Sequence, residues 1–471
     1  MRGRAGDDIM SDGIDDQIRR KMESRGIGTP HIERFLQMVR RVRADDAAHV
    51  PLSGVSAPDA DLLLSPPSNA EDLRALHDRG VSLLSQAVVI KLNGGRSTTM
   101  GGEVPKGALT AKDGLSYLEI IIHQMRCFER QWQVHVPLVL MNSFFTHAAT
   151  MEIVNRADFP VLTFLQNPVP RLVEDTLAPL STGTDEDWAP AGHGDVYTGL
   201  LLSGLLEKLR SEGRRWAFIS NLDNLAAHLD PFIPGLMERD DIEFLLEVTD
   251  RTAHDRKGGT LVVRNGGLYL LEIAQVSDAD RDLFMDVNLF RVFNTNNVWV
   301  DLDALDPVVR GNSLDLPIIR NRKTVAGTRV IQLETAMGAA IGSFDRSRGL
   351  RVGRDRFFPT KKVEDLFVLQ SDACVLDSLF RLRKNPERSE SLSHRPAVSF
   401  SPEFLDSPLR MTDRFADPSS VSLVDAESLW VSGDVFFERD VKIEGNVKIV
   451  PPPATRLTIP SGTVLVDGEY P

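Results

Sequence analysis

The 471 residues carry 54 Lys+Arg against 67 Asp+Glu, a formal charge of −13, with 42% hydrophobic and 26% charged side chains. That balance is ordinary for a soluble globular enzyme, and the acidic excess excludes a non-specific nucleic-acid binder, which needs surplus Lys and Arg to displace phosphate counterions. No apolar run is long enough for a membrane helix, residues 1–25 hold no signal-peptide core, and two cysteines, Cys127 and Cys374, cannot staple a secreted scaffold; a cytoplasmic protein without membrane contacts is expected.

Residues 1–12 are small, polar and Gly-containing and are expected to lack order. Beyond them Ile18, Met22, Ile32, Phe35, Met38 and Val39 recur at helical spacing, interrupted between Gly26 and Pro30. A proline-bearing stretch from Pro51 to Pro67 leads into the main body. There residues 87–90, 136–141, 216–220, 244–248, 268–273 and 298–302 read as buried strands, and residues 196–210 as one long helix stopped by Gly213. Strands alternating with helices imply a mostly parallel α/β sheet, which binds ligands beyond the carboxyl ends of its strands. Residues 386–420, rich in Ser, Pro and Arg, read as a linker with little regular structure. After it Leu423, Leu429, Val435, Val441 and Val447 recur every six residues. That period fits a parallel β-helix, in which each short strand turns one aliphatic residue inward, although a hairpin alternates compatibly. The expected organisation is a helical extension over 1–60, a catalytic domain over 61–385, the linker, and a β-helix over 421–471, whose open end could join a second copy.

The chemistry-bearing residues cluster where strands end. Leu92, Asn93, Gly94 and Gly95 leave the first buried strand and continue through Arg96, Ser97, Met100 and Gly101 to Lys106. Glycines there let backbone N–H groups approach phosphate oxygens, and the lysine adds a point charge. This is not the GxxxxGK[ST] pattern, so a P-loop ATPase is not indicated. Gly192-His193-Gly194-Asp195 heads the long helix, where an anion is favoured, although Asp195 alone would serve as an N-cap. Asp223, within Asn221-Leu222-Asp223-Asn224, stands where Mg²⁺ is commonly held, or where an Asx turn joins strand to helix. Asn294-Thr295-Asn296-Asn297 offers four hydrogen-bonding side chains, suited to sugar hydroxyls or to a turn. Arg354, Arg356, Lys361 and Lys362 surround Phe357-Phe358-Pro359 as a candidate phosphate clamp.

Taken in order, the motifs LNGG…MG…PK (92–106), AGHGD (191–195), SNLDN (220–224), FNTNNVW (293–299), QLETA (332–336) and RFFPTK (356–361) resemble the eukaryotic-type UTP–glucose-1-phosphate uridylyltransferases, also called UDP-glucose pyrophosphorylases. The resemblance covers residues 85–375 and implies a Rossmann-like nucleotidyltransferase domain followed by a left-handed parallel β-helix. It implies that glucose 1-phosphate attacks the α-phosphorus of UTP, giving UDP-glucose and pyrophosphate with Mg²⁺ as cofactor. It also implies that Leu92, Asn93, Gly94, Gly95 and Lys106 hold the UTP phosphates, that Gln166 and Gly192 read uracil, and that Asn221 lies beside Asp223 as the metal ligand. His193, Asn296 and Glu272 would face the sugar phosphate, and Lys361, with Lys106, would be catalytic. The chain departs from the family where Arg96-Ser97 replaces the usual Leu-Gly. A preference for another sugar 1-phosphate and a non-catalytic nucleotide-sugar scaffold are the competing readings.

Overall fold

A computed structural model describes residues 4–44, 49–96, 104–252, 255 and 258–471; Ser97, Met100, Gly101 and Lys257 lie outside them. Eight strands form the central sheet in the order Leu63–Leu64, Ser347–Arg351, Phe244–Asp250, Val292–Asp301, Trp216–Asn221, Ala87–Asn93, Leu138–Asn142 and Val161–Leu165. Every neighbouring pair is parallel except the two made by Val292–Asp301, which runs against both its partners. The sheet is therefore mixed and mostly parallel, as its runs of Val, Ile, Leu and Phe, buried on both faces, require.

The strand direction sets the site. Asn93, Asn142, Leu165, Asn221 and Asp250 all end parallel strands on one edge. Because Val292–Asp301 is reversed, its first half, with Asn294 and Asn296, lies on that same edge, with Asn294 opposite Val248. The register of Val292–Asp301 against Phe244–Asp250 slips between Glu247 and Val248, and Asn296 takes φ +55°. A bulge of this kind re-aims a side chain at a sheet rim.

Three expectations change. A helix begins at Arg4, inside the stretch expected to lack order, and runs to Ser24 before the Thr29–Arg43 helix. The long helix is two, Val196–Leu202 and Leu205–Ser211, because Gly204 sits at φ +74° and redirects the chain. Residues 386–420 are no plain linker: Ala397–Phe400 pairs in parallel with Ser422–Val431, and Phe400, Phe404 and Phe415 are buried. Phe415 stacks on Phe367 (4.7 Å) and Phe437 (5.0 Å). Phe367 belongs to the Val363–Gln370 helix, which begins two residues after Lys361. Aromatic packing thus fastens the C-terminal part to the segment that presents this lysine.

In that part Ser422–Val431 pairs in parallel with Lys442–Ile449, which in turn pairs with Val464–Leu465 and Gly468–Tyr470. A second parallel pair joins Asp434–Phe437 to Arg456–Ile459. All five residues of the six-residue series are buried. Parallel partners cannot come from a hairpin, so that alternative fails.

Candidate active site

Asp223, just past the Trp216–Asn221 strand, is the electrostatic centre of the edge. Lys106 Nζ donates to its Oδ2 at 2.8 Å and Lys361 Nζ at 2.9 Å. Burial pushes the Asp223 carboxyl up, but Lys361 and Lys106 overcome it and hold the group at about 2. One carboxylate thus carries two ammonium groups, a net positive charge for an anionic ligand. Lys106 also donates to the carbonyl of Thr360 at 3.0 Å, so the two lysine-bearing segments brace each other.

The loop that ends in Lys361 is fixed from beneath. Arg356 forms a buried, bidentate pair with Glu247, at 2.8 and 2.7 Å, and Glu247 also accepts from Asn297 (3.1 Å) and Trp299 (2.8 Å). Asn224 donates to the carbonyl of Arg356 at 3.1 Å and accepts from the amide of Phe358 at 2.9 Å. The proposed four-cation clamp is therefore corrected. Arg356 is spent on Glu247 and Arg354 on Asp255 (2.7 Å), Lys362 stands at the head of the Val363–Gln370 helix, and Lys361 is the residue of that group that reaches Asp223.

On the glycine side, Leu92 turns its side chain into the core and accepts through its carbonyl from the amide of Leu222 at 3.2 Å. Asn93 is buried and donates to Asn142 (2.8 Å) and Thr150 (2.7 Å), so its side chain holds strand ends together. Ser143 and Thr146 donate to the carbonyls of Gly94 and Asn93 at 2.8 and 2.7 Å, fixing the entry to the loop. A Cβ on Gly94 would stand 2.6 Å from Gln166 Oε1, so glycine lets the loop lie against Gln166 without displacing that side chain. Gln166 donates to the carbonyl of Gly192. Gly192 itself has φ +89°, and a Cβ there would meet the backbone of Thr335 at 2.8 Å.

His193 is half-buried and its Nδ1 accepts from the amide of Met337 at 3.0 Å. Burial, then the nearby Lys361, lowers its pKa to about 4. The ring is therefore neutral with its proton on Nε2, free to donate. Asp195 is not a helix cap as the sequence allowed. Its carboxylate accepts from the amide and side chain of Asn167 at 2.7 and 2.9 Å. That pair ties the segment bearing Gln166 to the turn bearing His193. Asn296 is oriented by Asn294, which donates to its Oδ1 at 3.0 Å. Glu272 packs against Gly259, where a Cβ would lie 2.3 Å from its Oε1, and Asn294 hydrogen-bonds it.

Of the sequence-predicted site residues, the structure brings Leu92 to Gly95, Lys106, Gln166, Gly192, His193, Asn221, Asp223, Glu272, Asn296 and Lys361 to one edge of the sheet. Glu247 and Asn167 were missed as supporting groups, and Asn224 was named only as part of its motif. Each is an ordinary buried polar residue whose partner lies far away in sequence, so only the fold reveals it. Among the described residues no three His, Cys, Asp or Glu side chains converge on a cation position. A lone ionised carboxylate does suit Mg²⁺, which completes its shell from phosphates and water.

An α/β sheet whose carboxyl edge offers glycine amides, paired lysines and one carboxylate is the framework of a nucleotidyltransferase. A family model for UTP–glucose-1-phosphate uridylyltransferase matches residues 32–444, and the chain belongs to that family. Its relatives include the UTP–glucose-1-phosphate uridylyltransferase of Solanum tuberosum, 38% identical over 92% of this chain and 91% of that protein. The similarly named protein 2 of Dictyostelium discoideum is 38% identical over 87% of this chain and 81% of its own length. Among solved structures, a mutant UDP-glucose pyrophosphorylase from Leishmania major in complex with UDP-glucose superposes with a TM-score of 0.86. It is 33% identical and covers 97% of this chain and 98% of its own. A Trypanosoma brucei UDP-glucose phosphorylase gives 0.86 at 34% identity, covering 97% and 99%.

Proposed function

We propose that the chain transfers the uridylyl group of UTP to glucose 1-phosphate, giving UDP-glucose and pyrophosphate. The observation that carries this is the Lys106–Asp223–Lys361 cluster, two ammonium groups on one buried carboxylate at the sheet edge. An oxygen of the sugar phosphate attacks the α-phosphorus while the bond to pyrophosphate breaks on the opposite side. The nucleophile is already anionic, so no general base is needed, and catalysis consists of positioning and charge neutralisation. The amides of Gly94 and Gly95 and the Lys106 ammonium hold the triphosphate. Gln166 and the backbone at Gly192 read uracil. His193 donates from Nε2 to the sugar phosphate, with Asn296 and Glu272 on the sugar hydroxyls. Lys361 neutralises charge gathering at the α-phosphate. Asp223, with Asn221 beside it, would hold Mg²⁺, which when bound spreads the triphosphate charge.

The parallel C-terminal stacks are read as coils of a left-handed β-helix over 421–471, following a catalytic domain over 61–385. Exposed Trp430 and Val464 on these strands, with Val466 just after one, would face a second copy. Two free cysteines suit a cytoplasmic setting.

The test is pyrophosphate release from UTP with glucose, galactose and N-acetylglucosamine 1-phosphates. Glucose 1-phosphate should give the highest kcat/KM. A preference for N-acetylglucosamine 1-phosphate would overturn the sugar assignment, and no release with any of them would favour the scaffold reading.

A further inference from the structure

Three consecutive acids, Asp185-Glu186-Asp187, each meet a cation from elsewhere in the chain. Asp185 pairs with Arg25 at 3.1 Å and Asp187 with Lys21 at 2.9 Å, both from the Arg4–Ser24 helix and the turn after it. Glu186 is shared between Arg171 at 3.2 Å and Arg96 at 3.4 Å. Aromatic rings line the same surface. Arg25 lies 4.7 Å from the ring centres of both Phe144 and Trp188, and Arg96 lies 4.1 Å over Phe145. Phe144 and Phe145, with centroids 4.0 Å apart, follow directly on Ser143, which already holds the carbonyl of Gly94.

Arg96 therefore directly follows the Gly94–Gly95 pair, with its guanidinium directed to Glu186 and Phe145. It is also the residue at which this chain departs from the Leu expected by family resemblance. A pair of glycines loses more conformational entropy on ordering than any other dipeptide, so anchoring its far end lowers the cost of ligand binding. Ser143 and Thr146 fix the entry to the glycine pair, and Arg96 anchors the residue directly after it.

We propose that Arg96 is a positioning residue for the nucleotide, holding the glycine loop in its binding form through Glu186, with the N-terminal helix bracing the same acidic triplet. The proposal rests on the reading of Gly94–Gly95 as the triphosphate cradle. It differs from a direct role of Arg96 on phosphate, because the acid and not the ligand is its partner. An ion pair of this exposure together with one cation–π contact corresponds to roughly a five- to tenfold change in affinity.

The test is a charge swap. Arg96→Glu and Glu186→Arg are made singly and together, with UTP affinity by calorimetry, KM and kcat by pyrophosphate release, and thermal midpoint as the folding control. Each single variant should weaken UTP about five- to tenfold and raise its KM while kcat stays within twofold. The double variant should recover most of the wild-type affinity. The proposal is overturned if Arg96→Glu is silent, or if it weakens UTP and the swap gives no recovery, since Arg96 would then act directly on phosphate. Failure of the wild type to bind UTP would instead overturn the cradle reading itself.

Discussion

Replacing Lys361 by Ala deletes one of the two ammonium groups on Asp223 and leaves the other, Lys106, at 2.8 Å. The Lys361 side chain is 54% exposed, so its pair with Asp223 contributes at most about 1 kcal/mol to folding. The Val363–Gln370 helix keeps its own anchor in Phe367, and the Phe357–Pro359 turn keeps its hydrogen bond to Asn224. The variant should therefore fold, with a thermal midpoint within a few degrees of wild type. Catalysis should respond differently. A donor aimed at charge that develops in the transition state is worth about 10²–10³ in kcat, ~2.7–4 kcal/mol. Pyrophosphate release at saturating UTP and glucose 1-phosphate reads this directly, and Lys361→Arg should recover a fraction of it. A loss seen only in KM would mean uniform binding of substrate and transition state. Unchanged kcat in a folded variant would refute the reasoning.

Gly192→Ala forces a Cβ to 2.8 Å from the Thr335 backbone at φ +89°, so a loss of about 1–3 kcal/mol in stability is expected, with lower kcat/KM for both substrates. Wild-type melting and activity would contradict it. Arg356→Met leaves the buried Glu247 without its paired cation and should cost about 3–5 kcal/mol in urea unfolding, whereas the double change with Glu247→Gln should cost less. Asp223 is held at about 2, below its ordinary value of 3.8. Its contribution to stability is therefore present above about pH 4 and lost as pH falls through 2. Asp223→Asn should remove that acid limb from the stability profile and abolish stimulation by Mg²⁺, and a variant still stimulated by Mg²⁺ would remove Asp223 from the metal site.

Much of the site was legible because the chemistry sits on strand ends. Apolar runs mark the buried strands, and the Asn, Gly and Asp that follow them mark the edge at which ligands bind. The order of six motifs then supplied the family. What could not be read depends on partners brought together only by folding. Arg356 looks like a phosphate-binding cation until Glu247, 109 residues earlier, is seen beneath it. Asp195 looks like a helix cap until Asn167 takes its carboxylate. The Ser-, Pro- and Arg-rich stretch before Ser420 looks like a linker, yet its phenylalanines pack on Phe367 and so belong to the core behind Lys361. The helix split at Gly204 was missed because Leu200, Leu201, Leu205 and Leu209 keep a helical period across the break. The six-residue period, by contrast, marks positions that are all buried, four of them on strands with parallel partners.

The central claim is that Lys106 and Lys361 are stored on Asp223 and meet the triphosphate when it arrives. A crystal structure with UTP and Mg²⁺ tests it most directly. Both Nζ atoms should then lie on phosphate oxygens, Lys106 toward the leaving pyrophosphate and Lys361 at the α-phosphate, with Asp223 released to the metal. Nucleotide bound with both lysines still on Asp223 would contradict it.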